Sequence, residues 1–329
     1  MFSERINNMN VTMDLSKLPY EAKVALANDE QASPEFLAAL ATDKDRRIRI
    51  LVAWHSSTPS EVLDTLANDG DSVVRRAVAE NGNTFAKTLT KLANDIDEDV
   101  RMAVGENKNT KEETLAMLAK DKKEWVREAV ASNPNALPET LELLTEDTAK
   151  FVRGAVARNK NAPEKVFLKL AKDENSINRH YVASNPNVPA EILAFLAKDD
   201  EWRVRYAVAR NENTPKEALT VLAQDKHWLV RQTVAKNENT PKETLAVLAD
   251  DCDLGVRQNV AGNKNTPKEA LVKLAGDRDY GVRKAVVNNP NTSYNTLLML
   301  SKVKAVEIRE KAKEVLKERA LKANTNKER

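Results

Sequence analysis

The chain has 329 residues, with 52 basic against 50 acidic side chains, a formal net charge of +2 and 41% hydrophobic residues. That balance excludes a global attraction to nucleic acid or to an acidic membrane, and leaves only a local patch open. Eight glycines and 5% aromatics argue against a many-stranded β fold, and the single cysteine, Cys252, excludes an intramolecular disulfide.

From the start of the chain, residues 1–18 show no repeating pattern and read as an N-terminal arm or partial cap. Met1 to Asn10 carries Glu4, Arg5 and several asparagines and has no apolar stretch of the kind a secretory leader needs. No run of about 18 apolar residues follows that would span a bilayer. The expected location is the cytoplasm.

Residues 19–305 repeat. An arginine stands every 26 residues from Arg49 to Arg309, with Lys23 one period earlier and no insertion or deletion between them. Constant spacing over such a length means about twelve copies of one supersecondary unit, each burying its apolar side only against its neighbours.

A clean copy runs from Asn211 to Lys236. Thr214, Pro215 and Glu217 read as N-cap, N1 and N3 of a helix. Leu219, Leu222 and Ala223 give that helix an apolar stripe, and it is expected to run about eleven residues to Gln224. A second, shorter helix is expected over roughly His227 to Lys236, buried through Val230, Val234 and Ala235, with α and 3₁₀ both open. Alanine recurs where helices should touch, as at Ala79, Ala131, Ala209 and Ala235.

The pattern loses its Ala and Asp after Leu300. Residues 306–323 read as a charged C-terminal capping helix, with Glu307–Lys311 and Glu318–Lys322 as i,i+4 pairs, and 324–329 as a disordered tail.

Two polar ladders share the period. Asp173, Asp199, Asp225, Asp251 and Asp277 keep a fixed offset from the arginines, which points to an internal Arg–Asp ladder. Asn81 to Asn289 form a second series, expected to bond backbone left unpaired at helix ends.

Catalytic chemistry finds no support in this pattern. His55, His180 and His227 fall in different units and columns, so with one cysteine they offer no metal-ligand spacing. No glycine loop suited to phosphate occurs. The expectation is a non-enzymatic chain with no catalytic, metal or cofactor residues.

The columns that vary within the repeat are the ones free to specify a partner. On the shorter helix they give Glu98/Met102/Glu106, then Glu124 and Glu128, an acidic stretch. Later units give Trp202/Tyr206/Arg210, Trp228/Gln232/Lys236 and Tyr280/Lys284, an aromatic and basic one. Exposed Trp, Tyr and Arg are the residues of binding hot spots. These eight side chains are the candidate surface for a protein or peptide partner bearing acidic groups. Nucleic acid is the alternative, since an aromatic–basic surface suits single strands. A purely structural spacer is a third reading.

The string Val204-Arg205, Val208-Ala209, Asn211, Asn213-Thr214-Pro215, Glu217, Leu219, Leu222-Ala223 and Asp225 resembles the leucine-rich repeat variant family. The resemblance covers about residues 20 to 309. It implies an all-α fold, a right-handed superhelical α-solenoid of HEAT/armadillo-like type in which α and 3₁₀ helices alternate. Some members carry an N-terminal iron–sulfur cluster on cysteines; this chain has no cysteine before Cys252, so that cofactor does not carry over.

Overall fold

A computed structural model describes residues 17–325, with side chains as far as Leu321. Residues 1–16 of the expected arm, and 326–329 of the expected tail, lie outside the described residues. From Pro34–Leu40 to Tyr294–Leu300 the chain alternates helices of seven and nine residues, and the described residues contain no strand. Lys216–Leu222 (7 residues) and Trp228–Lys236 (9 residues) are one such pair. The chain forms two compact units, divided between Lys169 and Leu170.

Three expectations are corrected here. The helix after the Thr-Pro pair is seven residues, not about eleven, and the second helix is the longer of the two. That second helix is α rather than 3₁₀: the amide of Arg231 reaches the carbonyl of His227, and that of Asn237 reaches Thr233. The Thr-Pro-x-Glu string is not a capping box either. The N-cap of Lys216–Leu222 is Pro215, with no side-chain bond. The Thr214 hydroxyl instead donates backwards, 2.5 Å to the carbonyl of Val208, and Thr240 does the same to Val234 at 2.6 Å. It closes the end of the preceding nine-residue helix, whose last carbonyls have no partner within the helix.

Most of the nine-residue helices carry side-chain caps of their own; Glu124–Ser132 and Lys150–Arg158 do not. Asp71 accepts from the Val73 amide, Glu201 from Arg203, and His227 from Leu229. Helices this short are marginal alone, so burial holds them. Val204, Val208, Val230 and Val234 are fully buried, as are Leu219 and Leu245 on the seven-residue helices. Within each unit every nine-residue helix packs on the next one.

The alanine column permits that approach. Ala209 and Ala235 are inaccessible, and their carbonyls accept from the side-chain amides of Asn237 and Asn263 one unit later, at 2.8 and 2.9 Å. Each asparagine then accepts, through Oδ1, the amide two residues on, as Asn237 does from Asn239 at 2.8 Å. One side chain thus joins a helix end to a turn in the next repeat.

The arginines form the second joint. Arg231 donates Nε and Nη2 to the two oxygens of Asp251, at 2.6 and 2.8 Å, and Nη1 to the carbonyl of Asp225 at 2.9 Å. Asp251 also accepts the amide of Asp253 at 2.8 Å. Burial pushes the Asp251 carboxyl up, but the Arg231 fork and that amide outweigh it and hold the group below its usual range. Arg49, Arg75, Arg101 and Arg127, and Arg179, Arg205 and Arg257, likewise pair with the aspartate twenty residues on, in the following repeat.

The last helix runs Val306–Thr325, so Asn324 and Thr325 are helical rather than part of a disordered tail. Ile308 and Ala312 are buried. Its first-turn Glu307 does not pair with Lys311 as expected. It accepts 2.6 Å from Lys284 and also from the Tyr280 hydroxyl, while Lys311 bonds Glu314 at 2.9 Å.

Candidate functional site

The columns expected to face a partner lie on the nine-residue helices, away from the buried valines. Trp202 and Tyr206 sit half-buried on helix Trp202–Arg210, with Arg210 exposed at its end. On helix Trp228–Lys236, Trp228 retains 48% exposure, Gln232 is half-buried and Lys236 is exposed.

The structure brings the two helices into one aromatic cluster. The His227 ring stacks on Trp202 with centroids 4.0 Å apart and planes 6° from parallel. Trp228 lies beyond it at 6.0 Å, and Tyr206 meets Trp202 edge-on at 6.5 Å. The Arg203 guanidinium lies 4.8 Å from the Trp202 ring centre. Whether these aromatics fill grooves or face water has a divided answer: Trp202 fills, and Trp228 faces out.

His227 and Arg203 were not among the expected site residues. The signal for His227 is its place in the column that caps nine-residue helices, where Asp45, Asp71, Asp97, Asp253 and Asp279 also stand. Its Nδ1 accepts from the Leu229 amide at 3.2 Å, which fixes the ring where it can lie on Trp202.

Beside the cluster is an open groove of roughly 570 Å³ lined by Tyr206, Arg210, Glu212, Thr233, Lys236 and Glu238. Glu238 is bonded by Lys264. Among the described residues neither Arg210 nor Lys236 has a hydrogen-bond or ion-pair partner.

Tyr280 and Lys284 do not extend this patch as open groups, because both donate to Glu307 of the last helix. Those bonds hold Glu307 below the usual carboxyl range, the Lys284 bond first, and raise Lys284 in turn. The equivalent columns are acidic at Glu98 and Glu106 and at Glu124 and Glu128. Burial raises the Glu106 carboxyl, with Glu80 and Glu128 adding to the shift against the opposing charge of Arg76. Trp125 and Phe151, one column over, are exposed at 42% and 59%, each under a lysine.

Among the described residues no group of three or more His, Cys, Asp or Glu is placed to hold a metal ion, and no helix is long and apolar enough to cross a membrane. His180 lies 3.0 Å from the Arg203 carbonyl and His55 2.9 Å from that of Asp29, so each spends a ring nitrogen on backbone.

These features define an all-α repeat solenoid of two-helix units about 26 residues long. The model of the leucine rich repeat variant family matches one of these repeats, residues 202–227. A solved leucine-rich repeat variant, described as having a novel repetitive structural motif, aligns at TM-score 0.53 and 25% identity, over 68% of this chain and 88% of its own. A chain from a structure concerned with Kap95p binding and the RanGDP switch loops aligns at TM-score 0.43 and 11% identity, over 95% of this chain and 57% of its own. An engineered protein aligns at TM-score 0.33 and 18% identity, over 86% and 98% respectively. No match is found among curated proteins.

Proposed function

We propose that this chain is a non-enzymatic scaffold that binds a protein or peptide partner bearing acidic groups, on the face of the nine-residue helices around Trp202 and Trp228. A cytoplasmic setting suits its single, exposed cysteine. The observation that carries the reading is the pairing of a half-exposed aromatic stack with two uncompensated cations, Arg210 and Lys236, at the edge of one open groove. Rings of this kind supply apolar contact with little entropy to lose, and cations select an acidic group.

The stack also favours a second reading, a single-stranded nucleic acid whose bases lie on the rings. Against it, a continuous phosphate chain along the groove would pass Glu212 and Glu238. A peptide places its acids singly and avoids them.

The test is capture of partners from the native cell by wild type and by Trp202→Ala/Trp228→Ala, with and without nuclease. Under this proposal the double variant keeps its helical content and loses the partner, nuclease changes nothing, and binding tolerates moderate salt. Capture abolished by nuclease, or released steeply by salt, assigns the face to nucleic acid instead. Unfolding of the double variant would place the rings in the scaffold.

A further inference from the structure

The chain already seats two of its own carboxylates in the variable columns, each between a cation and an aromatic donor. Glu307 takes the Lys284 ammonium on one oxygen, at 2.6 Å, and the Tyr280 hydroxyl on the other. Glu80 takes the Arg76 guanidinium on one oxygen at 2.7 Å and the Trp54 indole N–H on the other at 2.8 Å. In each seat an aromatic N–H or O–H and a cation divide the carboxylate between them. Such bonds are short, directional and stronger than neutral ones.

Tyr280 and Lys284 stand four residues apart on one nine-residue helix. Tyr206 and Arg210 repeat that spacing, and the same order of phenol then cation, on helix Trp202–Arg210. Residues i and i+4 of a helix lie on one face, one turn apart. The Tyr206 hydroxyl and the Arg210 guanidinium have no polar partner among the described residues, and both border the open groove. The donor pair is therefore present there without its carboxylate. Lys236, from the next helix, adds a second cation to the lining, while Lys264 already compensates Glu238.

We propose that Tyr206 and Arg210 form a seat for one carboxylate side chain of an acidic peptide, one oxygen on the phenol and the other on the guanidinium. Lys236, on the lining of the same groove, holds a second acid of the same peptide. The inference rests on the assignment of this face to a peptide partner, and it names the group that the face reads.

The experiment is titration calorimetry of the full chain with a synthetic peptide of about twelve residues carrying glutamates four apart. The same peptide with glutamine at those positions and a thymidine oligonucleotide of equal length are the comparisons, at low and moderate salt. The glutamate peptide is expected to bind and the glutamine peptide to bind at least tenfold more weakly. Tyr206→Phe, which removes only the hydroxyl, should weaken the glutamate peptide by roughly 3- to 10-fold, and Arg210→Gln by roughly 10- to 100-fold. Lys284→Gln, which opens the Glu307 seat alone, should leave it unchanged. Equal binding of the two peptides, indifference to both variants, or no binding of the glutamate peptide overturns the seat. If the seat fails while Trp202→Ala/Trp228→Ala still abolishes partner capture, the binding face stands and only the ligand group is wrong. Binding of the oligonucleotide in place of the peptide removes both.

Discussion

Arg319 donates to the carbonyl of Thr292 at 2.6 Å, and the same guanidinium reaches Pro290 at 3.1 Å and Asn289 at 3.3 Å. One repeat earlier the equivalent carbonyls, of Asn263, Lys264 and Thr266, are taken by the side-chain amides of Asn289 and Asn291. One period after Asn289 and Asn291 the asparagines are replaced, by Val315 and Lys317. A single arginine on the last helix replaces both. Its planar fork spreads its N–H groups across the carbonyl set that two short amides covered.

Arg319→Ala should therefore loosen the last helix without touching the middle of the chain. The loss of charge-assisted bonds to half-buried carbonyls is worth roughly 1–3 kcal/mol, felt locally because contacts run only between neighbours. Hydrogen exchange should accelerate over Val306–Thr325 and stay unchanged over Trp202–Lys236. Equal acceleration in both regions would mean that the end helix is not held by this bond.

The arginine ladder makes a prediction by its own exception. Arg205 is forked to Asp225, with 9% and 4% of the two side chains exposed. Arg283 occupies the same column, but the residue at the aspartate position is Val303, and among the described residues the Arg283 guanidinium bonds only the carbonyls of Asp277 and Arg278. Arg205→Ala strands a buried carboxylate and should cost about 3 kcal/mol. Arg283→Ala strands none and should cost less than about 1 kcal/mol. Local unfolding free energies from hydrogen exchange would separate the two, and equal costs would remove the ion pair as the source of the effect.

What was legible in the sequence follows from what repetition can encode. Period, helix count and both ladders stand in the residues, because a side chain that recurs every 26 positions must meet the same environment each time. Partner direction was less legible. The Thr-Pro-x-Glu string matches a cap by composition, and only the path of the chain shows Thr214 turned back to Val208. The Trp202–His227 stack depends on how far one helix start lies from the helix before it, a tertiary distance that no column of letters holds. Glu307 was misplaced for a related reason: a local i,i+4 partner was visible, and the competing pair Tyr280 and Lys284 in the preceding repeat was not.

The role of the threonine can be decided by two substitutions at one site. If Thr214 accepted an amide at a helix start, Asp would serve there as well. Its hydroxyl is instead a buried donor facing the Val208 carbonyl, with 3% of the residue exposed. Thr214→Val removes the donor while keeping the shape and should cost about 1 kcal/mol. Thr214→Asp sets a carboxylate against a carbonyl oxygen away from water and should cost at least about 2 kcal/mol more. Thermal melts in which the aspartate variant matches or exceeds wild type would restore the capping-box reading.

Acid should unfold the chain through the ladder, and the sign can be worked through. In Asp69, Asp95, Asp121, Asp147, Asp225, Asp251 and Asp277 burial pushes the carboxyl up, yet the arginine fork and a backbone amide bring the net shift below the usual value. An unfolded aspartate titrates near 3.9. A folded value below that means the unfolded chain binds protons first, so stability is fully present above about pH 5 and falls as pH drops through the lower, folded values. The partner arginines are shifted upward, as Arg231 is by its bond to Asp251, and stay charged throughout this range. Asp251→Asn isolates one rung. The amide cannot carry the charge, so the variant should melt below wild type at pH 7. The gap should narrow as pH falls below about 4, where the wild-type carboxylate is itself being neutralised. A gap of constant size from pH 7 to pH 3 would show that Asp251 acts through its shape and its bond to the Asp253 amide, and that the charge on the ladder contributes nothing to folding.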